Sequence, residues 1–109
     1  MPPNHLLVET QGPWKGPGCG RFIADADTFA RSGAGVWLVL LEDGVTAAVG
    51  TPVPELLDFI RSGGRLWIDA FSLAQRALSA APLVPGHALV EMDDVAAKLL
   101  DPSVRAVWH

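Results

Sequence analysis

The chain has 109 residues, half of them hydrophobic and 18% charged, with a net charge of −4. That is enough apolar material for one core and too short a chain for two, so a single domain over residues 1–109 is expected and disorder is excluded. Interspersed charges with an acidic surplus also argue against a surface that tracks nucleic-acid phosphates.

The opening "MPPNHLLVET" has no basic leader before a long apolar run, so no signal peptide is read there. Within it, His5–Thr10 is a short apolar run that ends at a Gly/Pro cluster, which predicts a first buried strand. "QGPWKGPGCG" (Gln11–Gly20) is punctuated by Gly and Pro and reads as a loop. From Arg21 to Ser32 the residues Phe22, Ile23, Ala26, Phe29 and Ala30 share one helical face, and Gly33 stops the helix. "GVWLVLL" (Gly35–Leu41) is apolar throughout, as in a strand buried on both faces of a parallel sheet. It is also far too short to span a bilayer, so no membrane partner is expected.

"EDGV" turns the chain at Asp43–Gly44, and "TAAVG" suits a short helical turn. Val53, Leu56, Leu57 and Ile60 then mark a helix opened by prolines and closed by Gly63 and Gly64. "RLWID" (Arg65–Asp69) reads as the third strand. The next helix, "FSLAQRALSAA", carries Leu73, Ala74, Ala77 and Leu78 on one side and ends at Pro82. His87–Met92 is the fourth strand, Asp93 or Asp94 caps a helix with Val95, Ala96, Leu99 and Leu100 as its stripe, and Val104–His109 is the last strand. Strict β-α alternation predicts a three-layer α/β/α fold with a mostly parallel, five-stranded sheet.

In such a sheet, ligands bind beyond the carboxyl ends of the strands. That rule selects Thr10 to Cys19, Glu42 to Gly44, Asp69 to Ser72, Met92 to Asp94, and His109. Cys19 and Asp69 then share a rim and are candidates for one pocket. Cys19 is the sole cysteine, so no internal disulfide can form, and a reducing, cytoplasmic location is expected. At a helix start, with Lys15 and Arg21 near in sequence, its thiol is a candidate nucleophile. The alternative is a small residue tolerated in a Gly-rich turn.

Asp69 has two readings of the same kind: a helix N-cap, which Ser72 could also supply, or a pocket acid. Asp43 suits a turn. Trp37, Trp67 and Trp108 lie on strands and are expected in the core, whereas Trp14 sits in the loop, where it would line a pocket or anchor a partner. "GPGCG" fits neither the P-loop nor the G-x-G-x-x-G spacing, so no nucleotide cofactor is expected. His5, His87 and His109 are spread along the chain and suit packing or surface roles. No ligand-pair spacing supports a metal at Cys19, Asp69 and His109, and no G-x-S-x-G motif is present.

A first strand followed by "GPW", then "FARSGAGVWLVLLEDGV" and "GGRLWIDAFSLAQRAL", in this order and spacing, resembles the DsrE/DsrF/DsrH-like family, which includes the sulfur-relay Tus subunits. The resemblance covers nearly the whole chain. It implies a small cytoplasmic α/β domain that forms a homo-oligomer, a trimer or hexamer, or a hetero-oligomer with other DsrE-like subunits. It also implies sulfur donor or acceptor proteins as partners. In some members a cysteine at the end of the third strand carries a persulfide. Here Asp69 stands at that position, Arg76 matches the family arginine in the next helix, and Ala77 replaces a common glycine.

A carboxylate cannot form a persulfide. The expected function is therefore a non-catalytic, oligomeric DsrE-like subunit associated with sulfur metabolism, binding a small ligand at a pocket of Thr10, Trp14, Asp43, Ser72 and Arg76 or serving a structural role. One alternative is a sulfur-relay carrier, sulfurtransferase-like in activity, in which the Cys19 thiolate attacks a donor persulfide. Another is an enzyme that uses Asp69 as acid or base.

Overall fold

The computed structural model describes residues 4–109; Met1 to Pro3, the start of the segment read as lacking a leader, lie outside the described residues. The strands are β1 (Asn4–Glu9), β2 (Val36–Leu40), β3 (Arg65–Asp69), β4 (His87–Val90) and β5 (Val104–Trp108). They form one sheet in the order β4-β3-β2-β1-β5, and every neighbouring pair is parallel. The helices are α1 (Gly18–Arg31), α2 (Pro54–Arg61), α3 (Ala70–Gln75) and α4 (Met92–Leu99), with 3-10 turns at Pro13–Lys15 and Glu42–Ala48.

The inner strands β1 and β2 are apolar at consecutive positions because both faces are covered. Leu7, Leu38, Leu40, Leu66 and Ile68 pack with Cys19, Ile23 and Ala26 of α1, Leu56 and Phe59 of α2 and Leu73 of α3. The alternate residues Leu6, Val8, Trp37, Val39, Leu41 and Val90 pack with Val95 of α4. The two-residue strand period thus sorts the sheet into a face under three helices and a face under α4. Lys98 of α4 lies with its Nζ 3.9 Å from the Trp37 ring centroid, which seats that helix on the sheet. None of the helices is long and apolar enough to cross a membrane, among the described residues.

Four local expectations are corrected. The first helix starts at Gly18 instead of Arg21, so Cys19 lies inside its first turn. The third helix ends at Gln75 instead of running to Ala81. Ala77 adopts a left-handed conformation (φ 55), its N–H bonds Ala74 O, and Leu78 N–H bonds Leu73 O at 2.8 Å. These are the two bonds of a Schellman stop, with Ala77 where glycine is usual. The α4 N-cap is Glu91, whose backbone N–H donates to Asp94 Oδ2 at 2.9 Å, because the helix already begins at Met92. Trp108 is 53% exposed and outside the core, because β5 is an edge strand on the face that α4 alone covers.

Candidate functional site

Parallel strands end together, so the segments after them meet on one rim. Register then decides which face each rim residue takes. Asp69 pairs with Val90 and follows Trp67, while Leu66 and Ile68 point to the three-helix face; Asp69 therefore faces the α4 side. Trp108 pairs with Val8 and takes the same side. Glu9 follows Leu7 and faces α1. Cys19 and Asp69 share the rim, as their positions after β1 and β3 require, but they lie on opposite faces of the sheet and line no common cavity.

On the α4 side the rim holds a cleft of about 450 Å³ bounded by Glu42, Asp69, Phe71, Gln75, Met92 and Trp108. Asp69 is the N-cap of α3 and is 2% exposed. Its Oδ2 accepts the Ser72 N–H at 3.0 Å and the Ser72 hydroxyl at 2.6 Å. The Ser72 hydroxyl oxygen in turn accepts the Glu42 N–H at 2.8 Å. That bond reaches a strained residue, since Glu42 sits at φ 52 without being a glycine. The other carboxylate oxygen, Asp69 Oδ1, is buried and has no hydrogen-bond partner, the one orphaned side-chain polar atom of this kind among the described residues.

Behind the cleft, Arg76 fixes the loop after β2. Its Nε and Nη2 both donate to Asp43 Oδ1, at 3.0 and 2.9 Å, and Nη1 donates to Ser72 O at 3.2 Å. Asp43, Ser72, Arg76 and Asp69 thus form one connected network. Thr10 and Trp14 do not join it. The Thr10 hydroxyl donates to His109 O at 2.7 Å, tying β1 to β5. Trp14 is 62% exposed and lies over Gly12, where an added Cβ would stand 2.4 Å from the indole; its own loop holds it away from the cleft.

On the α1 side, Glu9 is fully buried and was not singled out from sequence. Its carboxylate receives the Gln11 N–H at 2.9 Å and lies 2.7 Å from His109 Nδ1. The His109 ring stacks on Phe22 at a centroid distance of 5.1 Å. A polar residue closing an apolar strand was the available signal, but it depended on knowing that the histidine 100 positions away lies alongside. His5 stacks on Phe29 and His87 Nδ1 contacts Val84 O, in keeping with packing roles. No group of three His, Cys, Asp or Glu side chains is arranged to hold a metal, among the described residues.

Cys19 is 2% exposed and packs in the core. Burial pushes its thiol from 9.0 up to about 11, and the charges of Glu9 and Glu55 act in the same direction. This direction is opposite to the one expected of a thiol at a helix start. A second hollow, of about 380 Å³, lies between the first loop, α1 and α2 and holds no orphaned polar atom.

No family model matches the sequence, and no curated protein matches it. Among solved structures, the ychN protein from E. coli superposes with a TM-score of 0.83 at 17% identity, covering 97% of this chain and all of that one. At that identity the likeness speaks for architecture. It agrees with the five-stranded parallel α/β sheet and with the fold that the sequence resemblance implied: this chain has a DsrE/DsrF-like fold.

Proposed function

We propose that this chain is a small-ligand-binding DsrE-like subunit, associated with sulfur metabolism but not itself a sulfur carrier, with its site in the cleft at Asp69. The observation that carries this reading is the orphaned Asp69 Oδ1, because leaving a buried polar atom unpaired costs about 1–3 kcal/mol that a ligand donor would recover. The cleft volume, about 450 Å³, suits a small molecule. Asp69 cannot hold a persulfide, and the chain's one thiol is buried with a raised pKa. These features weigh against the relay reading. Partner subunits are expected to cover the exposed apolar side chains of β4 and of the end of α4, among them Leu89, Leu99 and the C-cap residue Leu100.

A mixed-charge fragment set, followed by ¹H–¹⁵N NMR, tests the site. Fragments are expected to shift the amides of Ser72 and Gln75 and the Trp108 indole together. A set that moves none of these signals refutes the reading. Intact mass after incubation with polysulfide, with Cys19→Ser as control, is expected to show no added sulfur.

A further inference from the structure

The walls of the cleft state which ligand chemistry fits it. Its ionisable side chains are Asp69 and Glu42, and none of the residues forming its wall is basic. The nearest guanidinium engaged in this network, Arg76, is committed to Asp43 and to Ser72 O. The same cleft is lined by large, exposed apolar groups: Phe71 is 61% exposed, Trp108 53% and Met92 44%. Two carboxylates fall short of a metal ligand set, and an anion would meet two acids with no cationic side chain in the wall to offset them. A cation carrying N–H donors and a flat or apolar body satisfies both walls. The donor would meet Asp69 Oδ1, Glu42 would add charge, and the aromatic faces attract the cation and cover its body.

We propose that the Asp69 cleft binds a small organic cation, a protonated amine or amidine with an aromatic or apolar body. This rests on the small-ligand reading of the same cleft and specifies its chemistry. The backbone at Glu42 supplies a variant that tests it. A left-handed conformation is costly for a residue with a Cβ, yet a glutamate occupies it at the mouth of the cleft. Folding alone favours glycine at such a position, so replacing Glu42 by glycine removes the carboxylate without straining the turn.

The test compares three probes that share a phenylethyl body, 2-phenylethylamine, 2-phenylethanol and 3-phenylpropionate, titrated into the full chain and read at the Ser72 amide and the Trp108 indole. The amine is expected to bind at least tenfold more tightly than the alcohol, with no binding of the carboxylate. Asp69→Asn retains an N-cap side chain but turns an amide donor toward the cleft. It is expected to weaken the amine by about ten- to a hundredfold. Glu42→Gly is expected to raise the melting temperature while weakening the amine severalfold, the split that separates a ligand contact from a structural role. Equal binding of amine and alcohol, or tighter binding of the carboxylate, overturns the cation and leaves the cleft. If no probe and no fragment moves these signals, the cleft itself is refuted.

Discussion

The ionisation of Cys19 can be tested directly by pH. With its thiol at about 11 instead of 9.0, the thiolate fraction at pH 8 is about one in a thousand, where an ordinary thiol has about one in ten. A more basic thiolate is intrinsically the better nucleophile, by about tenfold over that interval. Ionisation alone therefore slows alkylation by about tenfold. Exclusion from solvent adds to this, because at 2% exposure the first turn of α1 must open before reagent arrives. Iodoacetamide labelling followed by mass is expected to run more than tenfold slower than for the urea-unfolded chain at pH 8, and to accelerate with pH toward about 11. The same shift is a stability statement. The folded pKa lies above the unfolded value, so the contribution is complete below pH 9 and is lost as pH rises from 9 to about 11, because the unfolded chain releases its proton first. The loss approaches about 2–3 kcal/mol at most. Urea melts of wild type and Cys19→Ala should converge in stability across that window. A labelling rate that levels off at or below pH 8, or that matches the unfolded chain, would refute the burial argument and reopen the thiolate reading.

Two further substitutions test the geometry that frames the rim. Gly44→Ala places a Cβ 2.2 Å from the backbone oxygen of Glu9, where neither partner is a flexible side chain. It is expected to cost about 1–3 kcal/mol or more, read as a lower urea midpoint at unchanged slope; an unchanged midpoint would show that the turn after β2 does not press on β1. Ala77→Gly relieves the left-handed alanine of the α3 stop (φ 55). Against the entropy lost by glycine it should still stabilise by about 0.5–1 kcal/mol, and a fall in melting temperature would contradict the Schellman geometry.

Element type was legible along the chain because the strands and helices differ in period. Gly35–Leu41 has no polar position, and a strand of that kind requires helices on both sides; β2 lies at the centre of the sheet with all five residues buried. Boundaries were misread where local propensity gave way to tertiary contacts. "GCG" looks like loop, yet Gly18 and Cys19 are helical because Cys19 packs into the core with Ile23 and Ala26. Ala77 and Leu78 continue the apolar stripe of α3 on paper. In the fold Leu78 instead turns back against the core beside Leu73, and the helix stops to let it. Trp108 shows the limit of composition: a tryptophan on a strand is a core residue only if something covers that face, and strand order decides this.

The rim was legible as a place, but its two halves were not separated, and here strand parity carries the functional consequence. In "RLWID" the residues Leu66 and Ile68 look one way and Trp67 and Asp69 the other. Helix α1 packs on the face of Leu66 and Ile68. A thiol on α1 therefore cannot reach the pocket that Asp69 faces, however close the two stand along the rim. Cys19 is not a displaced version of the cysteine that the family resemblance places at position 69. The carboxylate at that position accepts from Ser72 on one oxygen and leaves the other without a partner; it can accept a hydrogen-bond donor but cannot carry sulfur covalently. Asp69, which carries the orphaned oxygen, lines the cleft of Phe71 and Trp108, and the buried thiol lies across the sheet from it, so the two groups have to be tested as separate chemistries.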